Sequence, residues 1–520
     1  MYISRFSKEN AMAILIGIDV GTTNWKAAAF TTDGKPYAIH KAPTLTRVSP
    51  EGFNYYDPAE LWKCLCDLLQ KTVADCAGQE ILGISVTSMA ESIIPIDKEG
   101  LPLFPAIAWY EGIAKDEAAF LESHLGAERI FSICGLPIDA SFPLPKMMWM
   151  RRHHPEVFEK SFKWLQMADY IYYKLCGATA TDYTIACRTL AYNLHTRSWS
   201  NEMLDTAQIP SSLFPEVMKS GSLLGAVSSS AAEETGLPLG TRVFAGGHDH
   251  PCATITSGCM RGRKLMDSSG TVESWLLLSE KGAAVPVKPE GARIGLYLDP
   301  ERYVLWGDIR TSGASADWGY RRLASMSDWT DSPFPPDYDA ILGKCSKLPI
   351  GSEGVLYIPH LLGSGAPGWD LHDRGAFLGL STKHTAPHLL RAIFEGLSCQ
   401  ARIIVEMHAR ISGMQPEGVC VAGGSTKNLF WQQMKADMLQ MPLELSPFND
   451  ATVQGAAMLA GIGSGVYGSI EEVSVALAVS NRILMPDPAK KEAYDRLYSR
   501  YCTANETVSS LHRLLSKAEG

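Results

Sequence analysis

The chain has 520 residues, 46% of them hydrophobic, which is more than one core usually holds, so two domains are expected. A net charge of −9, with Lys and Arg dispersed except for short runs such as Arg151-Arg152 and Lys490-Lys491, excludes a nucleic-acid footprint. Twelve cysteines from Cys64 to Cys502 form no CxxC pair and read as buried thiols of a reducing compartment, and no stretch approaches the ~20 apolar residues of a membrane span, so a cytoplasmic protein without a membrane partner is expected.

Apolar runs at 14–20 and 26–30 flank Gly21-Thr22-Thr23, and Asp33-Gly34 is a hairpin signal leading into 37–40, so the chain opens as an antiparallel meander. Within it, Gly17-Ile18-Asp19-Val20-Gly21-Thr22-Thr23 releases an Asp from a strand end into a turn of Gly and hydroxyl residues. Such a turn suits a magnesium-bound phosphate, the carboxylate facing the hydrated metal and backbone N–H groups the oxygens, although alone it is also an ordinary β-turn. Asp57-Pro58-Ala59-Glu60 then supplies an N-cap, a Pro at N1 and a Glu at N3, with Leu61, Leu65, Leu68 and Leu69 as an apolar face behind it. A helix and the strand 81–87 follow. Meander, helix and strand in this order are the pattern of the actin-like, sugar-kinase and chaperone ATPase fold.

The second half repeats the theme. A strand over 243–247 precedes Asp249 in Gly246-Gly247-His248-Asp249-His250, and a border near 237–241 divides the chain into domains of 12–242 and 243–470. Lys264-Leu265-Met266-Asp267 leads through Ser268-Ser269-Gly270-Thr271 to the apolar run 275–278, a second phosphate hairpin. The strand 418–422 enters Gly423-Gly424-Ser425, with a helix over 428–439 behind, so backbone can approach a nucleotide closely there. Asp487-Pro488 and the spacing of Tyr494, Leu497 and Tyr501 give a terminal helix over 485–517, expected to pack on the second domain.

With these motifs in place, the chain resembles the FGGY carbohydrate kinases over most of its length. Lys146-Met147-Met148-Trp149-Met150 is similar to that family's first signature; Gly375-Ala376-Phe377-Leu378-Gly379-Leu380 with His388-Leu389, Ala392-Ile393-Phe394 and Glu395-Gly396 is similar to its second. The resemblance implies an α/β protein of two actin-like (ribonuclease H-like) ATPase domains, each with a mixed sheet, and an active site in the cleft between them. It implies ATP and Mg2+ as cofactors and transfer of the γ-phosphoryl group to a primary hydroxyl of a small, xylulose-like ketose or alditol. Glycerol, erythritol or an aldonate is the alternative acceptor. A non-catalytic nucleotide-binding regulator or chaperone-like ATPase is the alternative from another class, and a homodimer stays open. By the same resemblance Gly21, Thr22 and Thr23 line the first phosphate loop, and Asp19 holds the metal through water. Lys26 stands where a basic residue is common, though a solvated strand lysine reads equally well. Gly270 and Thr271 form the second phosphate loop, Thr311-Ser312-Gly313 adds a backbone contact through Gly313, and Gly423, Gly424 and Asn428 border adenosine.

Phosphoryl transfer to an alcohol needs a carboxylate that orients the hydroxyl and takes its proton late in transfer, a contribution of ~100- to ~10,000-fold. Asp249 is assigned that role, and with Asp19 it is a carboxylate for the metal. A transition-metal site at His248-Asp249-His250 is the competitor, disfavoured because on a regular strand the two histidines would face one side and Asp249 the other. One histidine is then a substrate contact and the other a packed one. Glu91 in Ser88-Met89-Ala90-Glu91 is a candidate to accept hydrogen bonds from two adjacent hydroxyls, Trp109 an apolar wall for a carbon face, and Glu111 a second hydroxyl ligand. Two departures from the family bear on substrate: Gly363-Ser364-Gly365-Ala366-Pro367 lacks a common Glu and Arg, and His250 replaces a usual Gln or Asn.

Overall fold

In the computed structural model, which describes residues 12–323, 338–448, 450–477 and 482–518, the meander forms as three antiparallel strands. They are β1 (Ala13–Val20), β2 (Asn24–Thr31) and β3 (Pro36–Pro43). The β1–β2 register sets Asp19 directly opposite Lys26, so the two side chains share a face. Asp57 accepts from the N–H groups of Ala59 and Glu60 and starts α1 (Pro58–Asp75), whose Leu61, Leu65, Leu68 and Leu69 are buried. β4 (Glu80–Ser88) returns parallel to β1. Further along come α2 (Pro143–His153), α3 (Met167–Cys176), β5 (Leu223–Ala226) and β6 (Arg242–His248). The first sheet runs β5-β6-β4-β1-β2-β3.

The position of β6 corrects the expected border. The strand anticipated as the start of the second domain pairs in parallel with β4, so it belongs to the first sheet, between β4 and β5, and a division at 242/243 would cut it from its partners. An apolar run announces a buried strand but carries no sign of which sheet receives it, because that is decided by pairing across more than 150 residues of chain.

After α4 (Asp249–Ser257) the second sheet is built from β7 (Lys264–Ser269), β8 (Glu273–Leu278), β9 (Arg293–Leu296), β10 (Tyr303–Ile309), β11 (Gly418–Ala422), β12 (Leu443–Leu445) and β13 (Arg482–Leu484). Its order, β9-β10-β8-β7-β11-β12-β13, repeats the first sheet: an antiparallel meander joined through its first strand to two parallel strands. The helices around it include α5 (Ser312–Leu323), α6 (Ala386–Ser412), α7 (Leu429–Leu439), α8 (Ala451–Gly463) and α9 (Lys491–Ala518). Tyr494, Leu497 and Tyr501 of α9 are buried, and the Tyr501 hydroxyl bonds Gln400 of α6 at 2.9 Å. Among the described residues no helix is long and apolar enough to cross a membrane, and all twelve cysteines are free thiols.

One helix joins the halves. α8, from the second half, lies on the first sheet, and glycines at both contacts allow the approach: a Cβ on Gly17 of β1 would stand 2.2 Å from Val453 O, and one on Gly455 would stand 2.0 Å from Cys252 O in α4. Sandwiched this way between β1 and α4, α8 brings its N-cap, Asp450, to the end of β1 that carries Asp19.

Candidate active site

The strand ends meet in a charged cleft. The Lys26 ammonium lies 3.3 Å from Asp19 Oδ2 and 3.1 Å from Asp450 Oδ1. Burial raises the Asp19 carboxyl to about 6; Lys26 opposes the rise, and the nearby charge of Asp249 adds to it. Asp19 Oδ1 is buried with no hydrogen-bond donor on the protein. An orphaned carboxylate oxygen beside a second carboxylate is a donor set for a hard, oxygen-seeking cation such as Mg2+, so the residues fit that ion. The adjoining turn is closed by Gly21 N–H to Asn24 O at 3.2 Å, leaving Thr22 and Thr23 exposed.

The second loop is assembled from three segments. Gly270 and Thr271 are exposed between β7 and β8, and Gly270 O and Thr271 O accept from Gly313 N–H and Ala314 N–H at 3.1 and 3.2 Å. Only glycine fits at Gly313, where a Cβ would meet Gly270 O at 2.3 Å. Gly423, at φ +111°, lies against the backbone of Ser269, so the Gly-Gly turn after β11 adjoins the same loop; Gly424 faces open space, and Asn428 Oδ1 caps α7 by accepting from Trp431 N–H. Beneath the loop, out of solvent, Lys435 of α7 bonds Asp267 at 2.7 Å and Glu273 at 2.8 Å, and Ser312 donates to Glu273. Sequence reasoning did not find this trio. Lys435 lies among Gln432, Gln433 and Asp437 on α7, so it does not stand out from the helix.

Asp249 is where strand becomes helix. β6 ends at His248 and Asp249 opens α4, so the expectation of three residues alternating along one strand is corrected. His248 Nδ1 and His250 Nε2 approach the same Asp249 oxygen, at 3.2 and 3.8 Å, and both rings pack on Trp306 of β10. Among the described residues no cluster of three His, Cys, Asp or Glu side chains is arranged to hold a metal. Burial drives the His248 imidazole down to about 3, so it is neutral at pH 7. For Asp249 burial works upward, but His250, His248, the His250 N–H at 2.6 Å and Arg188 together hold the carboxyl below its ordinary value, so it is ionised at neutral pH.

The surroundings of Glu91 are more elaborate than anticipated. Glu91, in the left-handed region at φ +66°, does not present a bare carboxylate: Arg188 Nε donates to its Oε1 at 2.6 Å. The Arg188 guanidinium in turn lies 5.1 Å from the Trp306 ring and 5.5 Å from the Phe142 ring. Lys146, fully buried in α2, donates to Glu91 O and Ala108 O at 3.1 and 3.0 Å, tying the Glu91 turn to the Trp109 loop, and burial lowers its ammonium to about 7. Trp109 is half-buried with its Nε1 lacking a protein partner, and Glu111 Oε1 is held by the backbone N–H and side-chain amide of Asn54 at 3.0 and 2.6 Å. Arg188 and Trp306 went unnoticed in the sequence. Neither belongs to a periodic or Gly-rich pattern, and each gains its place only from partners far along the chain.

Comparison with known proteins fits this geometry. The pattern of the FGGY family of carbohydrate kinases matches in two parts, its N-terminal domain at residues 14–256 and its C-terminal domain at 268–464. The chain is 27% identical over 493 residues to the xylulose kinase of Staphylococcus epidermidis, covering 94% of this chain and 95% of that one. It is 28% identical over 498 residues to the glycerol kinase of Aquifex aeolicus, covering 94% and 97%. Among solved structures, the xylulose kinase of Rhodospirillum rubrum superposes with a TM-score of 0.87 at 27% identity, covering 96% of this chain and all of the other. The two sheets of like order are thus the paired actin-like ATPase domains of such enzymes, and the chain belongs to the FGGY family of ATP-dependent carbohydrate kinases.

Proposed function

We propose that this kinase phosphorylates a primary hydroxyl of a small ketose or alditol, with a xylulose-like ketose as the preferred acceptor. The observation that carries the reading is Asp249, an ionised carboxylate at a strand-to-helix corner, near enough to Asp19 for their charges to interact and flanked by His248 and His250, whose rings pack on the Trp306 that Arg188 also overlies. The xylulose kinases that match nearly the whole chain support the ketose. The acceptor oxygen attacks the γ-phosphorus, the bond to the β–γ bridging oxygen breaks to leave ADP, and the hydroxyl proton passes to Asp249. The Gly21–Thr23 and Gly270–Thr271 turns, closed by the Gly21 and Gly270 N–H groups, offer the N–H groups of Thr22, Thr23 and Thr271 to the phosphates, with Lys26 as a nearby cation; Gly423, Gly424 and Asn428 border adenosine. Arg188, oriented by Glu91 and stacked on Trp306, presents N–H groups to acceptor hydroxyls, with Glu111, Trp109 and His250 around the same space. Asp19 and Asp249 would hold Mg2+ through its water shell, and the ion would supply charge neutralisation at the β- and γ-phosphates.

A coupled ADP-release assay against ketoses, alditols and aldonates tests the assignment. The highest kcat/KM is expected for a five-carbon ketose. A preference for glycerol or an aldonate would replace the acceptor, and ATP turnover insensitive to every acceptor would favour the regulator.

A further inference from the structure

We propose that Thr184, backed by Asp182, is a positioning residue for the carboxylate of Asp249; the proposal rests on the reading of Asp249 as the proton acceptor. Asp182 ends a short strand (Ala180–Asp182) and Thr184 lies in the helical turn that follows (Tyr183–Ala186), both out of solvent. Asp182 Oδ1 accepts from the Thr184 N–H at 2.7 Å and from the Thr184 hydroxyl at 2.5 Å. Because Oδ1 already receives a backbone N–H, it acts as an acceptor whether or not Oδ2 carries a proton, and the hydroxyl hydrogen is committed to it. The free lone pairs of Thr184 Oγ1 then face outward, and one accepts from the His248 N–H at 2.7 Å. The direction of every bond in this chain is fixed, from carboxylate through hydroxyl to backbone.

The place where it ends matters. His248 is the last residue of β6 and Asp249 the first of α4, so the bond grips the corner from which the Asp249 side chain leaves. Packing at the corner is close: a Cβ on the adjacent Gly247 would come within 3.1 Å of Thr184 Oγ1. The same segment supplies Arg188, four residues on, whose guanidinium pairs with Glu91 and lies over the Trp306 ring that packs on His248. One short stretch of chain therefore sets both the base and a wall of the acceptor space. Misplacing a reacting group by a fraction of an ångström is costly in rate, whereas ATP contacts loops on other elements.

Thr184→Val keeps the shape and removes the hydroxyl. Its kcat is expected to fall about 10- to 100-fold with KM for ATP changed less than about 2-fold, and Thr184→Ser is expected to recover most of the rate. If Thr184→Val does not yield folded protein, Thr184→Ala is read in its place. In an Asp249→Asn background the same Thr184 substitution should have no further effect on the residual rate, because the group it positions is gone. A wild-type kcat for Thr184→Val beside an impaired Asp249→Asn enzyme overturns the positioning role alone, as does equal damage from Thr184→Ser. Full turnover by Asp249→Asn removes the base assignment itself and the proposal with it.

Discussion

The hairpins β1–β2 and β7–β8 hold equivalent places in two sheets of like order, yet they put their charges on opposite sides. In the first, Asp19 and Lys26 face the cleft and meet Asp450 there. In the second, Asp267, Glu273 and Lys435 are sealed beneath the loop with no exposure at all. Register explains the difference. Asp19 stands two residues before Gly21, whereas Asp267 stands three before Gly270, and since strand side chains alternate faces, a one-residue offset turns the carboxylate from the cleft to the core. Ser268 occupies the position that matches Asp19. A repeated fold thus gives two hairpin loops of which only the first has a carboxylate on its open side, and the other half uses its charges to hold its loop together.

Substitutions that remove each lysine would break this contrast if it is wrong. Lys435→Met leaves two carboxylates buried without a cation, a loss expected to cost about 3–5 kcal/mol of stability in a denaturant titration; an unchanged midpoint would mean that the buried trio contributes nothing. Lys26→Met takes the cation from Asp19 and Asp450, which are not sealed as Asp267 and Glu273 are, so the stability loss should be smaller, about 1–3 kcal/mol, and stability is not where it chiefly acts. Its effect belongs to kinetics instead, a fall of about 10-fold in kcat/KM for MgATP, and an unaltered value would remove Lys26 from the phosphate site. The smallest effect concerns pH. Burial and the neighbouring Glu273 push the Asp267 carboxyl up despite Lys435, so the folded protein keeps a proton over a range where the unfolded chain, with an Asp pKa of about 3.9, has lost it. Stability then falls as pH rises from about 4 toward that raised value, and Asp267→Asn should flatten the curve in this window in thermal melts at successive pH values.

Much of this was legible in the sequence where the signal is local. The Asp33-Gly34 turn, the Asp57 cap with Pro58 behind it, and the glycine turns at Gly21, Gly270 and Gly423 each follow from backbone chemistry within a few residues. The features that escaped depend on distance. β6 joined the first sheet through β4, Arg188 meets Glu91 across 97 positions, and Lys435 meets Asp267 across 168. The geometry at Asp249 also escaped, because the strand was expected to run through a position where a helix begins. Glu91, expected as a bare carboxylate, is instead held by Arg188.

The most direct measurement compares Asp249→Asn with the wild type in two assays on one preparation: MgATP affinity by calorimetry and acceptor-dependent ADP release. Affinity should be nearly retained, since Asp19 still faces the metal, which Asp249 would meet only through water, and the loops and the adenosine border are untouched, while turnover should drop by ~100- to ~10,000-fold. Turnover at the wild-type rate would contradict the assignment of Asp249 as the base, and loss of MgATP affinity in parallel with rate would leave Asp249 a metal carboxylate and not the base.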